Sequence, residues 1–154
     1  MATTVVASTL TVTLTEAVTL NGQNQGASTV VAIGSVGEVL KQIVNVTETK
    51  TELLKFASTA GRGQTITSTT KYVRLTNLDD SYNLVVNCIG ATDDEFYYIV
   101  KPGHSFILST VSSCMDSESG GVVSSVSLQN LSTISAWCAT SAQTVDVEFF
   151  VAQS

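Results

Sequence analysis

Histidine, tryptophan and proline occur once each in this chain of 154 residues, and charged residues make up only 13% of it. Each scarcity closes a class of function. A single histidine, His104, cannot supply a histidine cluster for a metal. A catalytic triad needs a histidine beside a nucleophile, and Ser105, next in sequence, points to the opposite face of any strand. His104 therefore reads as a solvent-exposed turn residue. Cys88, Cys114 and Cys138 lie far apart, with no C-x-x-C pair. Such spacing fits neither a disulfide framework nor a zinc site, so reduced thiols are expected, buried at Cys88 and Cys138 and more accessible at Cys114. Thirteen acidic residues against seven basic give a net charge of −6, spread without a basic stripe. That argues against a nucleic-acid partner. No stretch reaches the about eighteen apolar residues of a membrane helix. Residues 1–6 lack a basic segment and a long apolar core, so no secretory signal is expected and synthesis is placed in a cytoplasm.

The remaining chemical motifs are weak. Asp79-Asp80 and Asp93-Asp94-Glu95 cluster carboxylates, but the EF-hand pattern is missing. Asp79 reads as an Asx-type turn and residues 93–95 as a solvated tip. Gly61-Arg62-Gly63 lacks the lysine and hydroxyl of a phosphate loop. Two glycosylation sequons, at Asn45 and Asn130, count as chance matches without a secretory signal. No cofactor, metal site or enzymatic activity is expected.

What is present is hydroxyl and β-branched aliphatic. The chain holds 22 threonines, 19 serines and 21 valines. Threonine and valine are stiff at χ1 and suit a pleated surface. Over residues 9–15, Leu10, Val12 and Leu14 fall on one face and four threonines on the other. Similar runs recur, giving nine or ten short strands and an antiparallel β-sandwich of jelly-roll type, all-β and one domain overall. Residues 1–33 form an N-terminal strand or arm region and residues 34–154 the sandwich core. Around residues 36–48 helical spacing competes with a β-branched run, and a strand from Lys41 onward is expected. A hairpin joins residues 71–76 to 82–87 through Asn77-Leu78-Asp79-Asp80-Ser81. Residues 96–100 make an aromatic strand, and Pro102-Gly103 a turn of type II. Residues 114–121 read as a polar loop carrying Asp116 and Glu118. Trp137 is expected to pack in the core or at a subunit interface.

Several stretches carry a resemblance. They are Val39-Leu40-Lys41-Gln42-Ile43-Val44-Asn45-Val46, Glu52-Leu53-Leu54-Lys55-Phe56 and Val73-Arg74-Leu75-Thr76-Asn77-Leu78-Asp79-Asp80. Phe96-Tyr97, Lys101-Pro102-Gly103-His104-Ser105-Phe106-Ile107-Leu108, Ile134-Ser135-Ala136 and Val145-Asp146-Val147-Glu148-Phe149-Phe150-Val151 follow in order. Together, across residues 39–151, they resemble small virion structural proteins of tailed bacteriophages, including marine and cyanobacterial ones. The likeness rests on pattern and order, with no active-site signature.

The resemblance implies a capsid decoration or cement protein, or one at the neck or tail, located in the virion. Its partners would be the major capsid protein or other virion proteins, with self-association, a trimer by analogy. In such proteins an N-terminal arm often reaches a neighbour. Leu10, Val12 and Leu14 are accordingly the candidate partner-binding residues, by strand addition. The segment is equally readable as the first strand of the sandwich. The rival function is a receptor- or carbohydrate-binding module, for which Trp137, Tyr97, Tyr98 and the acidic loops would matter.

Overall fold

The computed structural model describes residues 5–61, 63–92, 94–116 and 126–154. Among them the chain forms thirteen strands, ten of them four residues or longer. They are β1 (Ser8–Thr15), β2 (Thr19–Leu20), β3 (Gln23–Asn24), β4 (Ser28–Val36), β5 (Glu38–Val46), β6 (Thr51–Ala57) and β7 (Thr65–Ile66). A single 3-10 turn (Thr67–Thr69) precedes β8 (Thr70–Asn77), β9 (Leu84–Gly90), β10 (Glu95–Val100), β11 (Ser105–Leu108), β12 (Leu131–Cys138) and β13 (Val145–Gln153).

Two sheets make an all-β sandwich. One is five-stranded in the order β10-β9-β12-β6-β7, the other four-stranded in the order β11-β8-β13-β5. Neighbouring strands are antiparallel except the short β6–β7 pair. Alternation sends Leu84, Val86 and Cys88 inward from β9, and Ile134, Ala136 and Cys138 inward from β12. They meet Val73 and Leu75 of β8 and Val145, Val147, Phe149 and Val151 of β13. Truncating a fully buried member such as Ile134 to alanine costs about 2–5 kcal/mol on this arrangement.

The strand expected from Lys41 is present and starts earlier, at Glu38, because pairing with β13 runs on to Gln153↔Glu38. The hairpin expected between residues 71–76 and 82–87 does not form. Both segments are strands, but β8 pairs with β11 and β13 while β9 pairs with β10 and β12. The intervening chain is therefore an arch from one sheet to the other. Alternation tells which side of a strand is buried; it does not tell which strand lies beside it.

Asn77 holds that arch. It is 0% exposed, and every polar group it has is used. Its side-chain amide donates to Tyr82 O at 2.9 Å and to Val100 O at 3.0 Å. Its Oδ1 accepts from Asp79 N at 3.0 Å. Its backbone N–H donates to His104 O, and its carbonyl accepts from Gly103 N, both at 3.0 Å. Beyond it Asp79 closes the Asx turn, accepting from Ser81 N and Tyr82 N at 2.7 Å each. Those two bonds, the Tyr82 one first, hold the Asp79 carboxyl below its ordinary range. The Pro102-Gly103 turn takes the expected type II form, with Gly103 at φ +71° and His104 N bonded to Lys101 O at 3.0 Å.

Replacing Asn77 by alanine leaves the Tyr82 and Val100 carbonyls without their donor. Asn77→Ala is expected to lower stability by about 2–4 kcal/mol. Chemical denaturation checks this, and a loss under ~1 kcal/mol contradicts the role given to Asn77.

Candidate docking arm

β1 belongs to neither sheet of the sandwich; it pairs with β4 alone. The pairing Leu10↔Ile33, Val12↔Val31 and Leu14↔Thr29 keeps its register through Thr19↔Asn24 and Leu20↔Gln23. Backbone bonds from Glu16 N to Ala27 O (2.8 Å) and from Gln25 N to Val18 O (2.9 Å) bridge the gap between the strand pairs. Residues 8–36 are thus one long hairpin. Its tip is Asn21-Gly22, with φ of +50° and +78°, the type I′ turn that matches strand twist. Residues 21–26 comprise this tight turn and the start of the return strand.

The two faces of the hairpin differ. Thr11 and Thr13 stand with Ala32 and Val30 on one, while Leu10, Val12, Leu14, Val31 and Ile33 stand on the other. The apolar face turns toward the outer side of the four-stranded sheet. There Leu10, Val12 and Ile33 pack against Val36, Tyr72, Phe150 and Ala152. Tyr72 and Phe150 support the contact edge to face, with centroids 6.1 Å apart at 72°. Beside them Glu148 receives Arg74 at 2.6 Å and Lys41 at 2.9 Å, linking β8, β13 and β5. The hydrogen bond from Lys41 holds the Glu148 carboxyl below the ordinary carboxylate range. Lys71 Nζ donates to Gly34 O at 3.0 Å and fixes the base of the arm.

The three candidate residues therefore divide. Leu10 and Val12 are half-buried against the body, whereas Leu14 is 59% exposed. Val31, across from Val12, is also exposed, and past Leu14 so are Val18 and Leu20. Between arm and sheet runs a groove of about 420 Å³ walled by Val12, Leu14, Val31, Ile33, Tyr72 and Ile107. The exposed part of the stripe, Leu14 with Val31, is legible only once the β1–β4 register is known.

Of the other residues singled out from sequence, Trp137, Tyr97 and Glu95 come together, and the rest are dispersed. His104 is exposed, its Nδ1 2.8 Å from Pro102 O. Asp80 bonds Ser81 Oγ at 2.7 Å, within the same turn as Asp79. Arg62, Asp93 and Glu118 lie outside the described residues. Trp137 is not in the core. Ile134, Ala136 and Cys138 occupy the inward positions of β12, so alternation turns Trp137 outward, where it meets Tyr97. Tyr98 points the other way and packs 5.3 Å from Phe106.

The three cysteines are free; Cys88 and Cys138 are buried and Cys114 is half-buried. Burial pushes the Cys88 thiol up to about 12. Aromatic-disulfide titration of the native protein is expected to modify Cys114 alone, slowly, and all three thiols after denaturation. Rapid reaction of Cys88 in the native state contradicts the placement. Compared with known proteins, the chain matches no family model and no curated protein.

Proposed function

We propose that this chain is a virion structural protein that binds a repeated particle surface through its N-terminal hairpin, as a decoration or cement protein of a phage head. The observation that carries the reading is the apolar stripe of the arm. Its proximal part, Leu10, Val12 and Ile33, seats the hairpin on the body. Leu14, farther out and 59% exposed, and Val31, across from Val12 and 50% exposed, are left facing solvent beside an apolar groove. An extended segment of the major capsid protein, or of another virion protein, fits such a groove by adding to a free hairpin edge. Backbone hydrogen bonds supply affinity, and Leu14 and Val31 supply register. Repetition on the particle multiplies a modest single contact.

The strand order supports the finer reading of the fold. Setting aside the two-residue β7, the sheets run β5-β13-β8-β11 and β6-β12-β9-β10. That nesting of early strands beside late ones is the order of a jelly roll, an architecture common in capsid proteins. Self-association is part of the proposal, with a trimer taken from the phage resemblance. β5 pairs on one side only, with β13, and exposes Val39 and Ile43. Such an edge is better covered than left open.

The test separates docking from folding. Leu14→Asp combined with Val31→Asp alters only exposed positions, so stability is expected to change by no more than ~0.5 kcal/mol per site. Co-sedimentation with purified particles lacking the protein is expected to fall to background. Full occupancy by this variant would defeat the arm as the docking element.

A further inference from the structure

The outer face of the five-stranded sheet lies on the side of the sandwich away from the arm. Alternation along β9, β10 and β12 turns Asn87, Tyr97 and Trp137 onto it. Tyr97 pairs across with Asn87, and Asn87 with Ser135. The rings of Tyr97 and Trp137 come from strands on either side of β9 and meet edge to face, 5.9 Å apart at 73°. They roof Asn87, which is 0% exposed although it faces away from the core.

Beside the rings sits an exposed carboxylate. Glu95 accepts from Tyr97 OH at 2.5 Å and from Asn87 Nδ2 at 3.0 Å, with Lys50 Nζ at 3.7 Å. Asn87 Oδ1 is buried and has no hydrogen-bond partner among the described residues. Exchanging the oxygen and nitrogen of that amide would set a carbonyl against the Glu95 carboxylate. The unpaired atom is therefore an acceptor awaiting a donor.

We propose that this face binds a neutral saccharide. A sugar ring offers apolar C–H faces, which stack on aromatic rings, and hydroxyls that donate to carboxylate and amide oxygens. Tyr97, 55% exposed, provides the stacking surface, and Trp137 backs it. Glu95 accepts from one hydroxyl. Asn87 Oδ1, the unpaired acceptor beneath the ring pair, is the position left for a second hydroxyl. The hydrogen bond from Tyr97 lowers the Glu95 carboxyl, which keeps it an acceptor into mild acid. The charges on this face are mixed, with Glu52 and Lys55 opposite Ser135 and Thr133, but a uronate carboxylate brought against Glu95 meets like charge.

Trp137 is the only tryptophan and reports directly on the site. The full-length protein is titrated with neutral hexasaccharides of glucose, mannose and galactose, and with a polyuronate hexasaccharide. Trp137 emission and heat of binding are recorded together. At least one neutral series is expected to give a saturable response in both, and the uronate none. Tyr97→Ala is expected to weaken binding roughly tenfold or more. Tyr97→Phe keeps the ring and most of the affinity, and Leu14→Asp leaves binding unchanged. Each variant is first shown to melt cooperatively, with Glu95→Gln replacing Tyr97→Ala should that one fail. No saturable response to any neutral hexasaccharide at millimolar concentration overturns the proposal. So does undiminished binding by Tyr97→Ala or Glu95→Gln, or a preference for the uronate.

Discussion

A sandwich that sends consecutive strands to opposite sheets has to carry its chain across the rim of the core again and again. Each crossing strips backbone groups of their ladder partners, and those groups must be satisfied in some other way. At the β8–β9 arch Asn77 meets most of the demand, with Asp79 closing the turn beyond it. Its amide reaches the chain leaving β8 and the end of β10, while its backbone binds the turn that opens β11. One buried residue, through side chain and backbone together, thus ties together four strands from both sheets. The alignment of β8 with β13, and so the outer surface that seats the arm, depends on that crossing being fixed.

The two outer faces are then free to differ. On the four-stranded sheet, Tyr72, Phe150 and the Arg74–Glu148–Lys41 group form a mixed floor that holds the base of the hairpin. On the five-stranded sheet, Tyr97 and Trp137 close over a polar centre. Sheets in a sandwich ordinarily turn polar residues to solvent. Here each outer face carries aromatics beside a hydrogen-bonded carboxylate. The proposed division of labour follows. The arm side holds the protein to a particle, and the opposite side stays open to a ligand in solution.

Much of this was legible in the residues. Alternation in residues 9–15 and 71–76 identified strands and their buried sides, and Pro102-Gly103 gave its turn. The β-branched run at Ile43-Val44-Asn45-Val46 outweighed helical spacing at Val39 and Leu40, since long-range pairing with β13 decides such cases. Pairing partners were not legible. Asn77 to Ser81 has the composition of a hairpin turn, and only the burial of the Asn77 amide between two sheets distinguishes an arch. The arm shows the same limit. Leu10, Val12 and Leu14 look equivalent in sequence, yet where the hairpin leaves the body decides which is buried and which is offered. For Trp137 composition does not tell core from interface; its register on β12 takes it out of the core and leaves it half-buried on the outer face.

The central claim is that the hairpin of residues 8–36 is the element that holds this protein to a particle. Electron microscopy of intact virions tests it most directly. The account predicts density for the sandwich at repeated sites on the head, with the hairpin around Leu14 and Val31 pressed against the major capsid protein. It also predicts the Tyr97–Trp137 face turned to solvent. Particles lacking the protein would contradict the account, as would a sandwich seated through its five-stranded sheet with the hairpin free.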